Sequence, residues 1–402
     1  MSPATGDRVI IPTASEPAGK MSTTTAYYAA FVALGLSIAV LGPTLPGLAE
    51  QTHSHLSQIS YLFTAHALGY LLGSLQAGQI FDRVRGHPVM AAMLLVMAAA
   101  LVLIPLMPML WLLMAAVLIL GMAGAILDVG ANALLVWIHR REVGPYMNAL
   151  HAAFGVGAFL APIVIAQLVL ISGGITWAYW ALALLMLPPF VWLVRLPSPA
   201  RQTVSEDRPT GEVNNLLLGL IVVFFALYVG TEAAFGGWIF TYAVAQDLGD
   251  KTTAAYLTSA YWGAFTVGRL LAIPIAFHIR PRHMLVADLA GCLVSVSVIL
   301  LWPDSTVALW LGTMGLGLSM ASVFPVTITL AERRMTITGR VTSWFFVGAS
   351  LGGMFLPWVV GQLFEPVGPR ATMFVILSAL VLATGVFTAI VKVDSTHGEL
   401  SR

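Results

Sequence analysis

Residues 110–138 read LWLLMAAVLILGMAGAILDVGANALLVWI, a run in which Asp128 is the one charged side chain. An α-helix rises 1.5 Å per residue, so about 20 mostly apolar residues cross the hydrocarbon core of a bilayer. The run is long enough to span, and Asp128 falls inside it. A carboxyl at a helix centre costs roughly 2.5–3.5 kcal/mol on insertion scales, so its presence points to function. Asn132 lies one turn further on and Gly124 one turn before, on the same face. Together they leave a small polar stripe on an otherwise apolar helix.

Working outward, runs of the same kind cover 26–48, 57–80, 88–106, 146–172, 175–195, 214–245, 252–279, 283–302, 306–331, 340–364 and 370–392. With 110–138 they predict an all-α membrane protein of twelve transmembrane helices. Composition agrees: 58% of the 402 residues are hydrophobic and 9% charged, against about 25% charged in an ordinary soluble domain. A soluble enzyme and a nucleic-acid partner are excluded, the latter also by the balance of 19 Lys and Arg against 18 Asp and Glu. The lone Cys292 supports neither a disulfide nor a cysteine zinc site. No cofactor, metal site or catalytic constellation is expected, and no phosphate-binding loop for ATP appears. The first run is too long for a cleaved signal peptide and lacks its small-residue cleavage site.

Sixteen of the 19 cations fall in segments that twelve spans place on one side, with only Lys251 and Arg370 opposite and Arg269 inside a span. By the positive-inside rule both termini are cytoplasmic. The Pro-rich and charged segment 196–213 then reads as a linker between an N-terminal half, 23–195, and a C-terminal half, 214–392. Residues 1–22 and 393–402 read as cytoplasmic tails. A repeat supports two six-helix halves: Gly157, Pro162, Gln167 and Leu168 recur 195 positions later as Gly352, Pro357, Gln362 and Leu363. Parallel duplication of a six-span unit is a transporter architecture.

Between the second and third spans stands Gly78-Gln-Ile-Phe-Asp82-Arg83-Val-Arg85-Gly86-His87. This resembles the signature loop of the major facilitator superfamily, with one extra residue before Gly86 and His87 where a base is usual. The resemblance implies that Gly78, Asp82, Arg83, Arg85 and Gly86 help to lock a cytoplasmic gate. A narrower resemblance is to the fucose–galactose–glucose symporter group and its sodium-dependent glucose transporter-like branch. It rests on Leu41-Gly42-Pro43, Gly69-Tyr70-Leu-Leu-Gly73, Asn148 to Gly157, Tyr228-Val-Gly230-Thr-Glu232, Gly237-Trp238 and Trp262-Gly263 with Gly268-Arg269. The Asp128-x-x-x-Asn132 run is similar to that of fucose permease, whose acid takes part in proton coupling. That permease also has an essential acid in span one, and this chain has none there.

Three charges are thus stranded in lipid: Asp128, Glu232 and Arg269. One acid and the arginine could form a static buried pair, but two acids and one base cannot all neutralise as a pair. An acid whose partner changes between inward- and outward-facing states takes up and releases a cation. Asp128 is the first candidate for coupling and Glu232 the second. Asn132, Tyr228, Trp238, Trp262, Arg269, His151, Gln167 and Gln362 are candidates for binding solute. The tryptophans offer faces for a sugar ring, although many of the eleven mark membrane interfaces. The amides offer polyol contacts or bonds between helices. His66 and His151 read as proton carriers or as neutral histidines held by a hydrogen bond. Gly236-Gly237 reads as a gating bend or a point of close packing.

The function expected is symport of a small polar solute, a sugar by preference, with H+ or Na+, by a monomer in the plasma membrane (a bacterial inner membrane). Two rivals stand beside it. A proton-coupled efflux antiporter for drugs or metabolites predicts an apolar, Met- and Phe-rich cavity. A non-transporting membrane sensor predicts a signalling domain or a long tail.

Overall fold

Lipid offers no hydrogen bonds to a backbone, and helices satisfy their own. The computed structural model describes residues 17–199, 214–335 and 339–400, and among them sixteen α-helices and no strand form. They are α1 (Pro17–Ile38), α2 (Leu41–Gln51), α3 (Leu56–Ile59), α4 (Tyr61–Arg83), α5 (Gly86–Leu103), α6 (Leu110–His139), α7 (Val143–Ser172) and α8 (Thr176–Leu185). There follow α9 (Leu187–Arg195), α10 (Asn215–Ala245), α11 (Lys251–Ala276), α12 (Pro281–Leu301), α13 (Thr306–Met320), α14 (Val323–Glu332), α15 (Gly339–Val367) and α16 (Ala371–Leu400).

Local chemistry sets the ends. Asn214 caps α10 by accepting from the Leu216 and Leu217 amides at 3.1 Å. Asp250 caps α11 from Thr253 N at 2.7 Å, and bonds from Thr253 hold this exposed carboxyl below its usual range. Gly173 (φ 75°) and Gly368 (φ 102°) turn the chain after α7 and α15, where a side chain would be strained.

Three of the apolar runs break, each four residues before a proline. Pro43 follows the α1–α2 break at Ala39, Pro189 follows Leu185 at the end of α8, and Pro325 follows Ala321 beyond α13. Proline lacks the N–H that would bond to the i−4 carbonyl, and its ring crowds that carbonyl. At the first break α1 and α2 meet at 45°. Among the described residues nine helical segments are long and apolar enough to cross a membrane, and ten with α1–α2 as one broken span. The runs 57–80 and 252–279 lie on α4 and α11, which are not among these ten. α4 carries His66, Tyr70, Gln76 and Gln79, and α11 carries Thr258, Thr266 and Arg269, so both are the more polar helices.

Helices α1 to α9 pack mainly on one another, as do α10 to α16. Between the two groups the principal contacts are α4 with α15, α7 with α11, α2 with α10 and α3 with α15. The repeated glycines occupy equivalent seats. A β-carbon on Gly157 of α7 would strike the Val32 carbonyl of α1, and one on Gly352 of α15 would strike the Ala226 carbonyl of α10.

Some boundaries differ from the sequence reading. α1 starts at Pro17, inside the expected tail, because proline suits the first turn and Thr23, Thr24 and Thr25 bond back to carbonyls one turn earlier. α16 continues past 392 to Leu400. Most of the expected linker, 200–213, and residues 1–16 and 401–402 lie outside the described residues. Gly236-Gly237 does not interrupt the helix: α10 is continuous, and the glycines admit close neighbours. A β-carbon on Gly237 would stand 2.6 Å from the Phe63 ring, and one on Gly42 of α2 would stand 2.6 Å from the Gly236 carbonyl.

Candidate functional site

Close helix packing delivers the first acid its partners. Gly69 and Gly73 let α4 rest on the Leu118 and Met122 carbonyls of α6, where any β-carbon would collide. That contact sets Tyr70 of α4 beside Asp128, and its hydroxyl donates to Asp128 Oδ2. Asn132 Nδ2 donates to Oδ1 at 2.7 Å and to the Asp128 carbonyl at 2.9 Å. Both carboxylate oxygens therefore accept from neutral donors, and such bonds strengthen when the acceptor carries charge.

Glu232 stands one turn after Tyr228 on α10. The Tyr228 hydroxyl has one proton and two acceptors in reach, Glu232 and the Met320 carbonyl, and the well-formed bond goes to Met320 at 2.9 Å. Met320 ends α13, where a helix has carbonyls without intrahelical partners, so the Pro325 break supplies this acceptor. Arg269 of α11 completes the cluster. Its guanidinium lies 4.6 Å over the Phe265 ring, and its charge acts on both Asp128 and Glu232. Yet it forms no ion pair with either among the described residues, and its buried Nε has no hydrogen-bond partner. The static pair is not what forms.

A cavity of about 210 Å³ lies against this cluster. α4 contributes Phe63, His66 and Tyr70; α10 contributes Val229, Glu232 and Gly236. α11 adds Trp262, and α15 adds Phe346, Ser350 and Gly353. Both helix groups thus form its walls. Most of the lining is apolar, with a few polar groups converging, the usual character of a small-molecule site.

At the end of the cavity toward α3, the two groups close on each other. Gln362 Nε2 of α15 donates to the Ser57 carbonyl at 2.7 Å, and Glu365 accepts from Leu56 N at 3.1 Å with His55 Nδ1 at 3.8 Å. In the matching place on the other pair of helices, Gln167 Nε2 of α7 donates to the Tyr256 hydroxyl of α11. The repeated glutamines therefore bind across helices and do not line the cavity. Trp238 is also away from it: its indole N–H donates to the Pro357 carbonyl at 3.0 Å, and its ring stacks on Phe364 at 5.2 Å. His151 sets its ring edge to face with Phe31 at 5.8 Å and lies within reach of the Arg269 charge.

The signature loop is held by the residue that departs from the pattern. His87 is 1% exposed. Its Nδ1 donates to the Leu196 carbonyl at 3.1 Å, which leaves Nε2 to accept from the Tyr27 hydroxyl at 2.8 Å. Gly86 is buried against Leu134, whereas Gly78, Asp82, Arg83 and Arg85 are exposed. Asp288 of α12 accepts from Ser322 Oγ at 2.5 Å beside the α13–α14 break.

Of the residues singled out in the sequence, the structure brings Asp128, Asn132, Tyr228, Glu232, Trp262 and Arg269 into one neighbourhood. His66, also named from the sequence, joins them at the cavity wall, and the structure adds Tyr70, Phe63 and Ser350. The spacing of four between His66 and Tyr70 was a readable sign of a shared polar face on α4.

Comparison with known proteins agrees with this architecture. The model of the Major Facilitator Superfamily matches residues 27–357. The chain is 32% identical to sodium-dependent glucose transporter 1A of Mus musculus over 90% of its own length and 93% of the relative's. It is 31% identical to sodium-dependent glucose transporter 1 of Homo sapiens, over 83% of this chain and 72% of that one. Among solved structures, a D-xylose–proton symporter superposes with a TM-score of 0.74 at 13% identity, covering 92% of this chain and 97% of the other. The nucleoside transporter NupG gives 0.68 at 13% identity, with 93% and 98% covered. At such identities these structures speak for the fold. The relatives are transporters and not enzymes, and this chain is an integral membrane protein that belongs to the Major Facilitator Superfamily.

Proposed function

We propose that the protein is a cation-coupled symporter that takes up a small polar solute, a sugar, by alternating access. In this reading twelve spans form two six-helix halves, 23–195 and 214–392, with both termini cytoplasmic and the protein in a plasma membrane. The observation that carries the reading is that Arg269 pairs with neither Asp128 nor Glu232 while its charge acts on both, and that Glu232 lines a cavity walled by both helix groups. A guanidinium that can close on either acid favours one ionised partner at a time and leaves the other able to hold H+ or Na+. Asp128 and Glu232 carry the coupling charge, and Trp262 and Arg269 contact the solute. The names of the relatives support sugar and sodium. The bonds of Gln362, Glu365 and Gln167 close the outer side, so the arrangement suits an inward-facing state. Efflux of an apolar drug suits the site less well, because Glu232, His66 and Ser350 face the cavity.

The test is uptake of labelled sugars into proteoliposomes under an imposed sodium gradient, an imposed pH gradient, or neither. Uptake that rises with one of the two gradients, and loses that dependence in Asp128→Asn or Glu232→Gln, is expected. Uptake indifferent to both gradients would sink the coupling.

A further inference from the structure

Three polar groups at the cavity lack the partner that their own chemistry calls for. Helical hydroxyls in this protein regularly donate to the carbonyl four residues back, as Thr44, Thr231, Thr258 and Thr266 do at 2.7–3.1 Å. Ser350 of α15 is 9% exposed, lines the cavity and makes no such bond. His66 of α4 lines the facing wall with neither ring nitrogen engaged by the protein, in contrast to His87, which uses both. Trp262 Nε1 is buried without a partner, whereas Trp238 Nε1 has the Pro357 carbonyl. A buried polar group without a partner costs about 1–3 kcal/mol. Trp262 Nε1 is sealed off in this way, whereas His66 and Ser350 open onto the cavity without a protein partner and so are available to a ligand.

Geometry puts His66 and Ser350 on opposite helix groups but close in height. α4 and α15 touch where Thr64 Oγ1 donates to the Met354 carbonyl at 3.2 Å. They touch again where a β-carbon on Gly353 would stand 3.7 Å from Ala67 Cβ. His66 lies between those contacts, and Ser350 lies one turn from them. The cavity has room for about seven waters at roughly 30 Å³ each, enough to serve these groups between rounds of solute binding.

We infer that His66 and Ser350 read the hydroxyls of the solute, and that the solute is a neutral polyol with adjacent hydroxyls. A neutral imidazole offers one donor and one acceptor, and a serine offers both. Vicinal hydroxyls, each able to donate and accept, match that set. Phe63, Phe346 and the Trp262 ring leave an apolar side for the C–H face of a sugar ring. An anionic solute would face Glu232, and an apolar one would leave His66 and Ser350 unpaired. The inference rests on the sugar-uptake reading and adds the residues that select among sugars.

The experiment is binding of D-glucose and its single-position deoxy analogues to the purified full chain in nanodiscs, followed by displacement of labelled sugar. Variants are His66→Leu, His66→Gln and Ser350→Ala. His66→Leu and Ser350→Ala are each expected to weaken binding by roughly 10-fold. That loss should vanish for the one deoxy analogue missing the hydroxyl each residue reads, and the analogue should differ between them. His66→Gln, which keeps a donor and an acceptor, should stay within about 3-fold of the parent. Equal losses on every analogue would mark a packing role and overturn the inference, as would unchanged binding in both variants. A parent protein that binds none of the sugars overturns the uptake reading itself and this inference with it.

Discussion

The closure at Gln362 and Gln167, outward-facing on the proposed topology, can be perturbed without touching the cavity. Gln362 and Gln167 bridge the helix groups chiefly through one bond each, to Ser57 O at 2.7 Å and to the Tyr256 hydroxyl, with Ser60 Oγ a longer second acceptor for Gln362 at 3.4 Å. Hydrogen bonds between membrane helices average about 0.6 kcal/mol in double-mutant cycles. Removing one should therefore raise the open-outward population about 3-fold, and removing both about 8-fold if they act independently. Thr241 is a suitable reporter. It is 5% exposed, its hydroxyl has no partner, and it lies on the Gly237 face one turn further along α10. The native Cys292 is buried and will stay silent to a bulky reagent. In a Thr241→Cys background, labelling by a membrane-impermeant maleimide from outside should speed up about 3-fold with Gln362→Ala and roughly 8-fold with Gln167→Ala added. An unchanged labelling rate in the double variant, with full labelling after denaturation, would refute the assignment of these glutamines to the gate.

Tyr70→Phe removes one donor from the Asp128 carboxylate and leaves Asn132 in place. Hydrogen bonds to charged groups are worth about 1.5–3 kcal/mol, so the acid should take its cation at about 10-fold lower concentration, read as the half-saturating cation level of uptake. An unchanged cation dependence would separate Tyr70 from coupling. Gly352→Ala forces a methyl onto the Ala226 carbonyl and should cost about 1–3 kcal/mol, seen as a lower unfolding temperature in detergent. Gly385→Ala, whose β-carbon meets nothing within 4 Å, should show no such loss.

Hydropathy made the helices legible, because an apolar run of 20 residues in lipid has few alternatives to a helix. The breaks at Ala39, Leu185 and Ala321 were less so. Pro43, Pro189 and Pro325 interrupt their runs, but Pro162, Pro274 and Pro357 sit inside continuous helices, and the sequence alone does not separate the two cases. Asp128, Glu232 and Arg269 stood out because charge in lipid is costly. Neutral polar residues carry no such flag, so Ser350 went unnoticed and Gln167 and Gln362 pointed equally to solute and to helix contacts. Rotation about the helix axis decides between them, and only packing fixes that rotation. Trp238 shows the same limit: its ring and N–H are both engaged at the α10–α15 contact.

The arginine that closes on neither acid also fixes an electrical count. With both carboxylates ionised, Asp128, Glu232 and Arg269 sum to one negative charge. A single monovalent cation brings that sum to zero, and a second would leave an excess charge in hydrocarbon. A neutral sugar changes nothing in this tally. The loaded carrier would therefore cross its midpoint uncharged and return empty with one negative charge, so the membrane voltage would act on the return stroke. On the symport reading, that count predicts one cation per sugar and a turnover that quickens with an inside-negative potential.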